Sequence, residues 1–596
     1  MEQRTKFSPA VLLPVLLSFI VVLTGVLIIC KFQSVQIFDK LPITSVLSLN
    51  AAVALISLGI LLEWGNVGKF WRETTHTTQF GLGILLVTTM FVLIYWVPKT
   101  NRIIFDEHIY EGIGVNISEV GKAFLCVEGQ IREGEYLCPV TEFNKEPNGF
   151  PFYLAMFFRV FGPHERSAHW ANISAHLFGG VLIFLLIFLF AKSEVAALFG
   201  SAFFLFNPES LIWAHTAAVE PSTIAFSIAA VCSALLFSLN RSWGALFLFC
   251  GFLSMAVQFR MESLLLFFPI GILLFWHHSQ RAFDWQKILW AVVILCLLLL
   301  SHAVHIWVVK EQNWGSEGPK FAWMHFLPNL KVNGSYFLNN HRFPVVIFLL
   351  ALSSWPLIFF KRTAGLFSLN GPLSIFWSWA FVFWIIFLFF YAGSYEYGAD
   401  SRFALLVVPP LSILAGLGAS QLCQVLISKR SFGNPILPLI GVLLLAWTKF
   451  IPLIKRVGIE AWDSRASILF IRESAPQLPK NSMVFSNVPS VWLMQGQSAS
   501  QVSFISQNPN HLMDNTLKQF PGGAYFHWDY WCDVDRPQLN SECIKIKTSY
   551  DMKLVHTKNF HERTFELYRI FPKNPVAPEQ VSQKVVDRKD EDTGKP

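Results

Sequence analysis

Two adjacent carboxylates, Asp106 and Glu107, follow closely on a hydrophobic stretch that ends at about residue 98. A carboxylate at the edge of an apolar segment can act as a general base and take a proton from a hydroxyl group. Tyr110 follows at helical spacing, which predicts a short helix whose first turn carries the acidic pair. A solvated helix cap would give the same local pattern, so position alone leaves both interpretations open.

Two arginines could neutralise a phosphate group. Arg402 comes just before a leucine-rich stretch, and Arg260 lies with Glu262 in a short turn between two hydrophobic segments. A guanidinium group offers phosphate oxygens a planar fork of donors, which a lysine does not have. The structural alternatives are snorkelling to the membrane interface for Arg402 and an Arg260–Glu262 salt bridge.

Three histidines, His215, His302 and His305, invite a metal interpretation, but no metal-ligand motif accompanies them. We therefore predict no metal site and no cofactor, and the sequence leaves a dependence on divalent metal open. The net charge of +7 is spread over short clusters between hydrophobic runs. It indicates membrane topology and no nucleic-acid partner.

The elements that position these residues are predicted to be membrane helices. Hydrophobic residues make up 53% of the 596 residues and charged residues only 14%. The apolar residues form uninterrupted runs, long enough to cross ~30 Å of hydrocarbon. We predict a polytopic α-helical membrane protein with about 13 spans, the first of which is retained because it is too long for a signal peptide. The predicted spans are 11–30, 43–62, 80–97, 166–190, 195–212, 217–239, 243–258, 263–276, 287–309, 344–360, 372–391, 403–425 and 434–453.

The distribution of Lys and Arg predicts the orientation of these spans. With the amino terminus in the cytoplasm, every cytoplasmic turn contains basic residues. The loops 98–165 and 310–343 and the tail from residue 454 then lie outside. The predicted organisation is two amino-terminal helices (1–79), a transmembrane core (80–453), a small extracytoplasmic α/β domain (454–573) and a disordered tail (574–596).

The cysteines agree with this orientation. Five of the nine lie within predicted spans, and the other four lie in the outside segments. Two local disulfides, Cys126–Cys138 and Cys532–Cys543, are the economical interpretation in an oxidising compartment, and unpaired thiols are the alternative.

Several motifs resemble those of a known group. The sequence from Phe105 to Tyr110 is similar to the Asp-Glu-x-x-Tyr motif that opens the first outside loop of GT-C fold transferases, a group that includes protein O-mannosyltransferases and lipid A aminoarabinose transferases. The resemblance continues at 144–153, at 157–168 and at Arg402-Phe403. One departure is clear: Glu146-Pro147-Asn148 replaces the double proline of the group.

The resemblance implies roles for individual residues. Asp106 would be the base or the group that orients the acceptor, with Glu107 as the fallback. Arg402, with Arg260 and Lys145, would hold the donor phosphate, and 149–162 would be an interfacial helix. Glu220 matches an acidic position that faces the acceptor cavity, although capping of the next helix explains it equally well. The remaining residues predicted to line the donor and acceptor cavity are Tyr110, Glu146, Glu262 and Tyr397.

The function predicted from these features is inverting transfer of a hexose or pentose from a polyprenyl-phosphate-linked sugar donor. The expected acceptor is a glycan, a lipid or a protein on the extracytoplasmic face. The expected location of the protein is the inner membrane of a bacterium, where membrane lipid is a further partner. A transporter or flippase of lipid-linked envelope precursors is the alternative, but the polar residues gather at one face rather than at the midplane. A non-catalytic homologue that scaffolds an envelope assembly is a third possibility.

Overall fold

The computed structural model describes residues 17, 20, 34–99, 101, 106–278, 284–309, 318–355, 370–396, 401–426, 436–459, 462–508, 516–533, 537–560 and 563–573. Most of the predicted first span, the predicted tail 574–596 and Tyr397 lie outside these residues. The helices up to residue 309 are α1 (Ser34–Glu73), α2 (His76–Tyr95), α3 (Asp106–Val120), α4 (Gly149–Phe161), α5 (Glu165–Ala191), α6 (Glu194–Leu205), α7 (Pro208–Ala214), α8 (Glu220–Asn240), α9 (Trp243–Phe259), α10 (Phe267–His278) and α11 (Trp285–Val309).

The helices from residue 326 onward are α12 (Phe326–Tyr336), α13 (Val345–Ser353), α14 (Asn370–Ile386), α15 (Val408–Leu426), α16 (Ile436–Leu445), α17 (Ile451–Ile459), α18 (Trp462–Ser474), α19 (Pro489–Met494), α20 (Ser503–Gln507), α21 (Leu517–Gln519), α22 (Tyr530–Asp533) and α23 (Pro537–Ser549). Two 3₁₀ turns matter for the site: Met261–Leu266 joins α9 to α10, and Arg402–Val407 leads into α15. A wider π turn, Ala446–Phe450, joins α16 to α17.

Among the described residues, six helices are long and apolar enough to cross a membrane, or seven if one bent pair is a single span. They support an integral membrane protein and are fewer than the 13 predicted spans. Several predicted spans correspond to shorter apolar helices: Trp243–Phe259, Met261–Trp276 and Leu373–Ile386. The segment predicted to be interfacial is the separate 13-residue helix α4.

The predicted span 195–212 is broken in the structure. Helices α6 and α7 meet at an angle of 59°. Asn207 accepts a hydrogen bond from the Ser210 N–H through its side chain, and Pro208 occupies the first position of α7. An Asn cap followed by proline is a helix start signal, so the chain begins a new helix here instead of continuing the old one.

A seven-stranded mixed sheet lies beside the helices. The strands are β1 (Leu125–Arg132), β2 (Glu135–Glu142), β3 (Ser482–Ser486), β4 (Ser498–Gln501), β5 (Gly523–Trp528), β6 (Tyr550–Phe560) and β7 (Arg563–Pro572), in the order β2-β1-β4-β3-β5-β7-β6. Strand β3 is parallel to β4 and β5, and the other pairs are antiparallel. The predicted α/β region is therefore present, but its sheet also includes a hairpin from the first loop.

The C-terminal part of the chain is fixed to the first loop by several contacts. Strand β1 pairs with β4 at Glu128 and Ser500, and the Ile131 N–H donates to the Ser498 hydroxyl at 2.9 Å. Helix α19 packs against α3, where the two helices approach at Gly112. Both predicted disulfides are formed, Cys126–Cys138 within the hairpin and Cys532–Cys543 between α22 and α23. The sheet thus rests on the helix that begins with Asp106.

Candidate active site

The two arginines singled out from the sequence lie over the same aromatic ring. The guanidinium carbon of Arg402 is 5.1 Å from the centroid of the Phe403 ring, and that of Arg260 is 5.2 Å from it. Phe403 is buried, with 4% of its surface exposed. A π face attracts both cations without neutralising them, so it can hold two like charges near one another. The turns after α9 and before α15 therefore meet at one site.

Arg402 forms an ion pair with Asp106. Its Nη1 donates to the Asp106 Oδ2 at 2.9 Å, across 296 residues of sequence. The two side chains are 20% and 23% exposed, so the pair is accessible to a substrate. Asp106 is the first residue of α3, where a carboxylate also interacts favourably with the helix dipole. The structure thus brings together the acid and the cation that the sequence proposed for opposite sides of one reaction centre.

Arg260 is engaged more completely. It donates through Nη1 to Glu220 Oε1, through Nη2 to Glu262 Oε1 at 2.8 Å, and through Nε to Glu262 Oε2. All three of its nitrogens contact carboxylates. Glu220 is fully buried, and Arg260 is 12% exposed. The salt bridge weighed as an alternative for Arg260 is present, and Glu220 binds this cation at the start of α8.

Glu107 faces the protein interior. It is fully buried, and its Oε2 accepts the Ala217 N–H at 2.8 Å. The same turn is held from α5 by Asn172, which donates to the Thr216 carbonyl at 2.9 Å and the Ala218 carbonyl at 2.7 Å. These contacts position the turn that leads into Glu220. The role of fallback base remains a prediction, and the observed contacts are those of a residue that positions the backbone.

Glu146 and Lys145 lie on the loop before α4, and both are partly exposed. The Asn144 side chain donates to the Glu146 carbonyl at 2.8 Å, and the Asn148 side chain lies 3.0 Å from the His305 ring nitrogen Nδ1. These bonds fix the loop backbone where the double proline is replaced. Burial, together with the charge of Asp106, raises the pKa of the Glu146 carboxyl to about 7.

Tyr110 completes this side of the site. It is 5% exposed and packs edge-on against Phe150 of α4, with ring centroids 5.4 Å apart. Burial and the nearby carboxylates of Glu146 and Asp106 raise the pKa of Tyr110 well above its ordinary value. The phenol therefore keeps its proton at neutral pH and can only be a hydrogen-bond donor or acceptor there.

Sequence reasoning missed two contributors. Asn172, which lies within the predicted span 166–190, is fully buried, and its side chain holds the turn at 216–218. A polar residue inside an apolar helix is costly unless it is satisfied, and that signal could have identified it. The sequence indicates Phe403 only as the residue after Arg402, and gives no sign that both arginines lie over its ring. Within the described ranges, no three or more His, Cys, Asp or Glu residues are placed to hold a metal ion.

Comparisons with known proteins place this geometry in context. Residues 145–307 match the family described as dolichyl-phosphate-mannose-protein mannosyltransferase. Among solved structures, ArnT from Cupriavidus metallidurans bound to undecaprenyl phosphate has a TM-score of 0.49 and 13% identity, covering 81% of this chain and 97% of that one. The oligosaccharyltransferase AglB from Archaeoglobus fulgidus, in complex with an inhibitory peptide and a dolichol-phosphate, has a TM-score of 0.45 and 10% identity, covering 82% and 74%.

No curated protein sequence matches the chain. The two structural likenesses are distant and assign no residue a role. The family match spans the loop with Lys145 and Glu146, the buried Asn172 and the Arg260 turn. Through residues 145–307, the chain is similar to the dolichyl-phosphate-mannose-protein mannosyltransferases, a kind of transferase that its motifs also resemble.

Proposed function

We propose that the chain is an inverting glycosyltransferase that moves a sugar from a polyprenyl-phosphate donor to an acceptor on the extracytoplasmic face of the membrane. The observation that supports it most is the accessible Asp106–Arg402 ion pair over Phe403. An accessible guanidinium group held in place by a carboxylate at 2.9 Å can neutralise the charge that develops on the departing phosphate.

In this proposal the acceptor oxygen forms a bond to the anomeric carbon of the sugar. The bond from that carbon to the phosphate oxygen breaks, and its electron pair leaves with the polyprenyl phosphate. A single displacement of this kind inverts the configuration. The leaving group is already a stabilised phosphate, so nearby cations replace a general acid.

Arg402 is the proposed phosphate ligand. A guanidinium group carries five N–H donors, so Arg402 can contact a phosphate while one of its nitrogens keeps Asp106. Lys145, on the partly exposed loop beside the site, is a second candidate. Arg260 is the weaker candidate, because three of its five N–H donors already bind Glu220 and Glu262 and these two carboxylates neutralise its charge.

The lipid part of the donor would enter from the outer leaflet, and the sheet would contact the acceptor. The sheet is suited to that task because α19 packs on α3, the helix that presents Asp106. This arrangement also favours surface chemistry over transport, since Asp106 begins the helix on which α19 packs. The cell location we propose is the inner membrane of a bacterium.

The test is mass spectrometry of envelope glycolipids and glycoproteins from cells with the wild-type chain, a deletion, Asp106→Asn, or the control Asp551→Asn. Asp551 is an exposed residue of β6, far in sequence from the site. We expect the deletion and Asp106→Asn to lose the same glycan and the control to keep it. A deletion that changes no glycan but changes the transport of a lipid-linked precursor would support the transporter alternative instead.

A further inference from the structure

The carboxylates around the two arginines differ in what they already bind. Asp106 is paired with Arg402, and Glu220 and Glu262 are paired with Arg260. Glu107 accepts a backbone N–H. In the part of the chain that the structure describes, no donor bonds to the carboxylate of Glu146, although its backbone carbonyl is held by Asn144. Glu146 is thus a fixed residue with an uncommitted carboxylate.

Glu146 is surrounded by the other charged groups of the site. Its carboxylate lies within electrostatic range of Asp106 and Tyr110 of α3 and of Arg260 and Arg402 on the two turns around Phe403. Lys145 lies beside it on the same loop, and His305 of α11 packs behind the loop. Burial and Asp106 disfavour its charged form, whereas the three cations favour it, and the balance puts its pKa at about 7. A base works best when its pKa is close to the working pH.

We propose that Glu146 is the proton acceptor of the reaction, and that Asp106 holds Arg402 in position for the phosphate. This inference rests on the proposed glycosyl transfer. As the acceptor oxygen bonds to the anomeric carbon, its proton moves to the carboxylate of Glu146. The sugar–phosphate bond breaks at the same time, and its electron pair remains on the phosphate beside Arg402. Glu146 then releases the proton to water, which restores the site.

The geometry supports these separate roles for Glu146 and Asp106. One oxygen of the Asp106 carboxylate already accepts a charge-assisted hydrogen bond of 2.9 Å from Arg402, so this carboxylate is engaged in holding the arginine. Among the described residues Glu146 has no such partner, and it is partly exposed, so a substrate hydroxyl can reach it.

The first test uses isolated native membranes, which contain both donor and acceptor, and follows the initial rate of formation of the glycan that the deletion removes. We expect the wild-type rate to fall as the pH drops below about 7, because Glu146 is then protonated and cannot accept a second proton. Glu146→Gln should lower the rate by about 10²–10⁴ and abolish that acid limb. Glu146→Asp should keep part of the rate and the limb.

The control is Glu142→Gln, in the exposed end of β2, which should keep the wild-type rate and pH profile. A Glu146→Gln variant with the wild-type rate and profile would overturn the proposal. If Asp106→Asn abolished the acid limb and Glu146→Gln kept it, Asp106 would be the base instead.

A second measurement does not depend on turnover. Infrared difference spectra of the full chain in lipid nanodiscs, recorded across neutral pH, should show a carboxylic acid signal that titrates near pH 7. Glu146→Gln should lack this signal, and Glu142→Gln should retain it. Persistence of the signal in Glu146→Gln would contradict the proposal even if the proposed transfer were correct. If the signal were assigned to Glu146 but the wild-type chain made no glycan, the transfer would be refuted and the proton-acceptor role with it.

Discussion

The turn before α15 and the turn after α9 place an arginine over the same ring, yet the two arginines are bound differently. Arg402 has a partly exposed ion pair with Asp106, whereas all three nitrogens of Arg260 donate hydrogen bonds to Glu220 and Glu262. The exposed fraction of the carboxylate partner is 23% for Asp106, whereas Arg260 has one fully buried partner, Glu220, and one that is 25% exposed, Glu262. The Arg402 pair is accessible, as the proposed phosphate ligand must be, and Arg260 joins α8 to the turn after α9.

The difference follows from what each region must satisfy. A buried carboxylate such as Glu220 is stable only if its charge is paired, so its cation is not available for exchange. An accessible pair such as Asp106–Arg402 is also solvated, so it contributes little to stability and can rearrange around a ligand. The same residue type therefore has two functions, and mutation should separate them.

The largest expected effect is on stability, from Arg260→Met. It leaves the fully buried Glu220 without its cation, and breaking one side of a buried pair costs about 3–5 kcal/mol. The melting temperature of the purified chain in detergent should fall, and the double variant Arg260→Met with Glu220→Leu should recover part of the loss. A melting temperature equal to that of wild type would show that the Arg260 region is as dispensable for stability as the Arg402 region.

The next effect is on catalysis, from Arg402→Met. Loss of one preorganised group that stabilises the departing phosphate should lower the transfer rate by about 10²–10³. Because the pair is partly exposed, its removal should change stability by at most about 1 kcal/mol. The rate is measured in isolated membranes and the melting temperature in detergent. A large drop in melting temperature with a normal rate would reverse the roles of the two arginines.

Some of this organisation could be predicted from the sequence because the signals are local. Cys126–Cys138 and Cys532–Cys543 were predicted as neighbours along the chain in outside segments, and both bonds are formed. Asp106 and Arg402 stood out because each charge follows or precedes an apolar run, and they meet as an ion pair. The family match through residues 145–307 overlaps the short motifs at 144–153 and 157–168.

Other features had no local signal. The hydrogen bond from Ile131 to Ser498 joins residues 367 positions apart, and neither strand indicates that the hairpin enters the later sheet. Six or seven of the predicted spans are seen as long apolar helices among the described residues, and composition does not show that an apolar run such as 195–212 is divided at Asn207-Pro208. Arg260 also donates to Glu220, which is distant in the sequence. The neighbouring pair Arg260 and Glu262 gives no indication of this second contact.

The smallest expected effect tests whether the packing of α19 on α3 supports the position of Asp106. No such support is expected for Arg260. A methyl group on Gly112 of α3 would come within 2.8 Å of the Ser490 Cβ of α19, so one helix must move. Gly112→Ala should cost about 1–3 kcal/mol and should lower the transfer rate, because α3 also carries Asp106. The measurements are the melting temperature and the membrane assay.

Gly83 of α2 provides the matched control, because a methyl group there meets nothing within 4 Å. Gly83→Ala should leave the rate unchanged and should stabilise the helix by up to about 1 kcal/mol. Adding Ser490→Gly to Gly112→Ala removes the clashing Cβ and should restore both rate and stability. If the double variant restored stability but not rate, Gly112 would affect catalysis by a route other than the contact of α19 with α3. If Gly112→Ala left the rate unchanged, the position of Asp106 would not depend on the sheet.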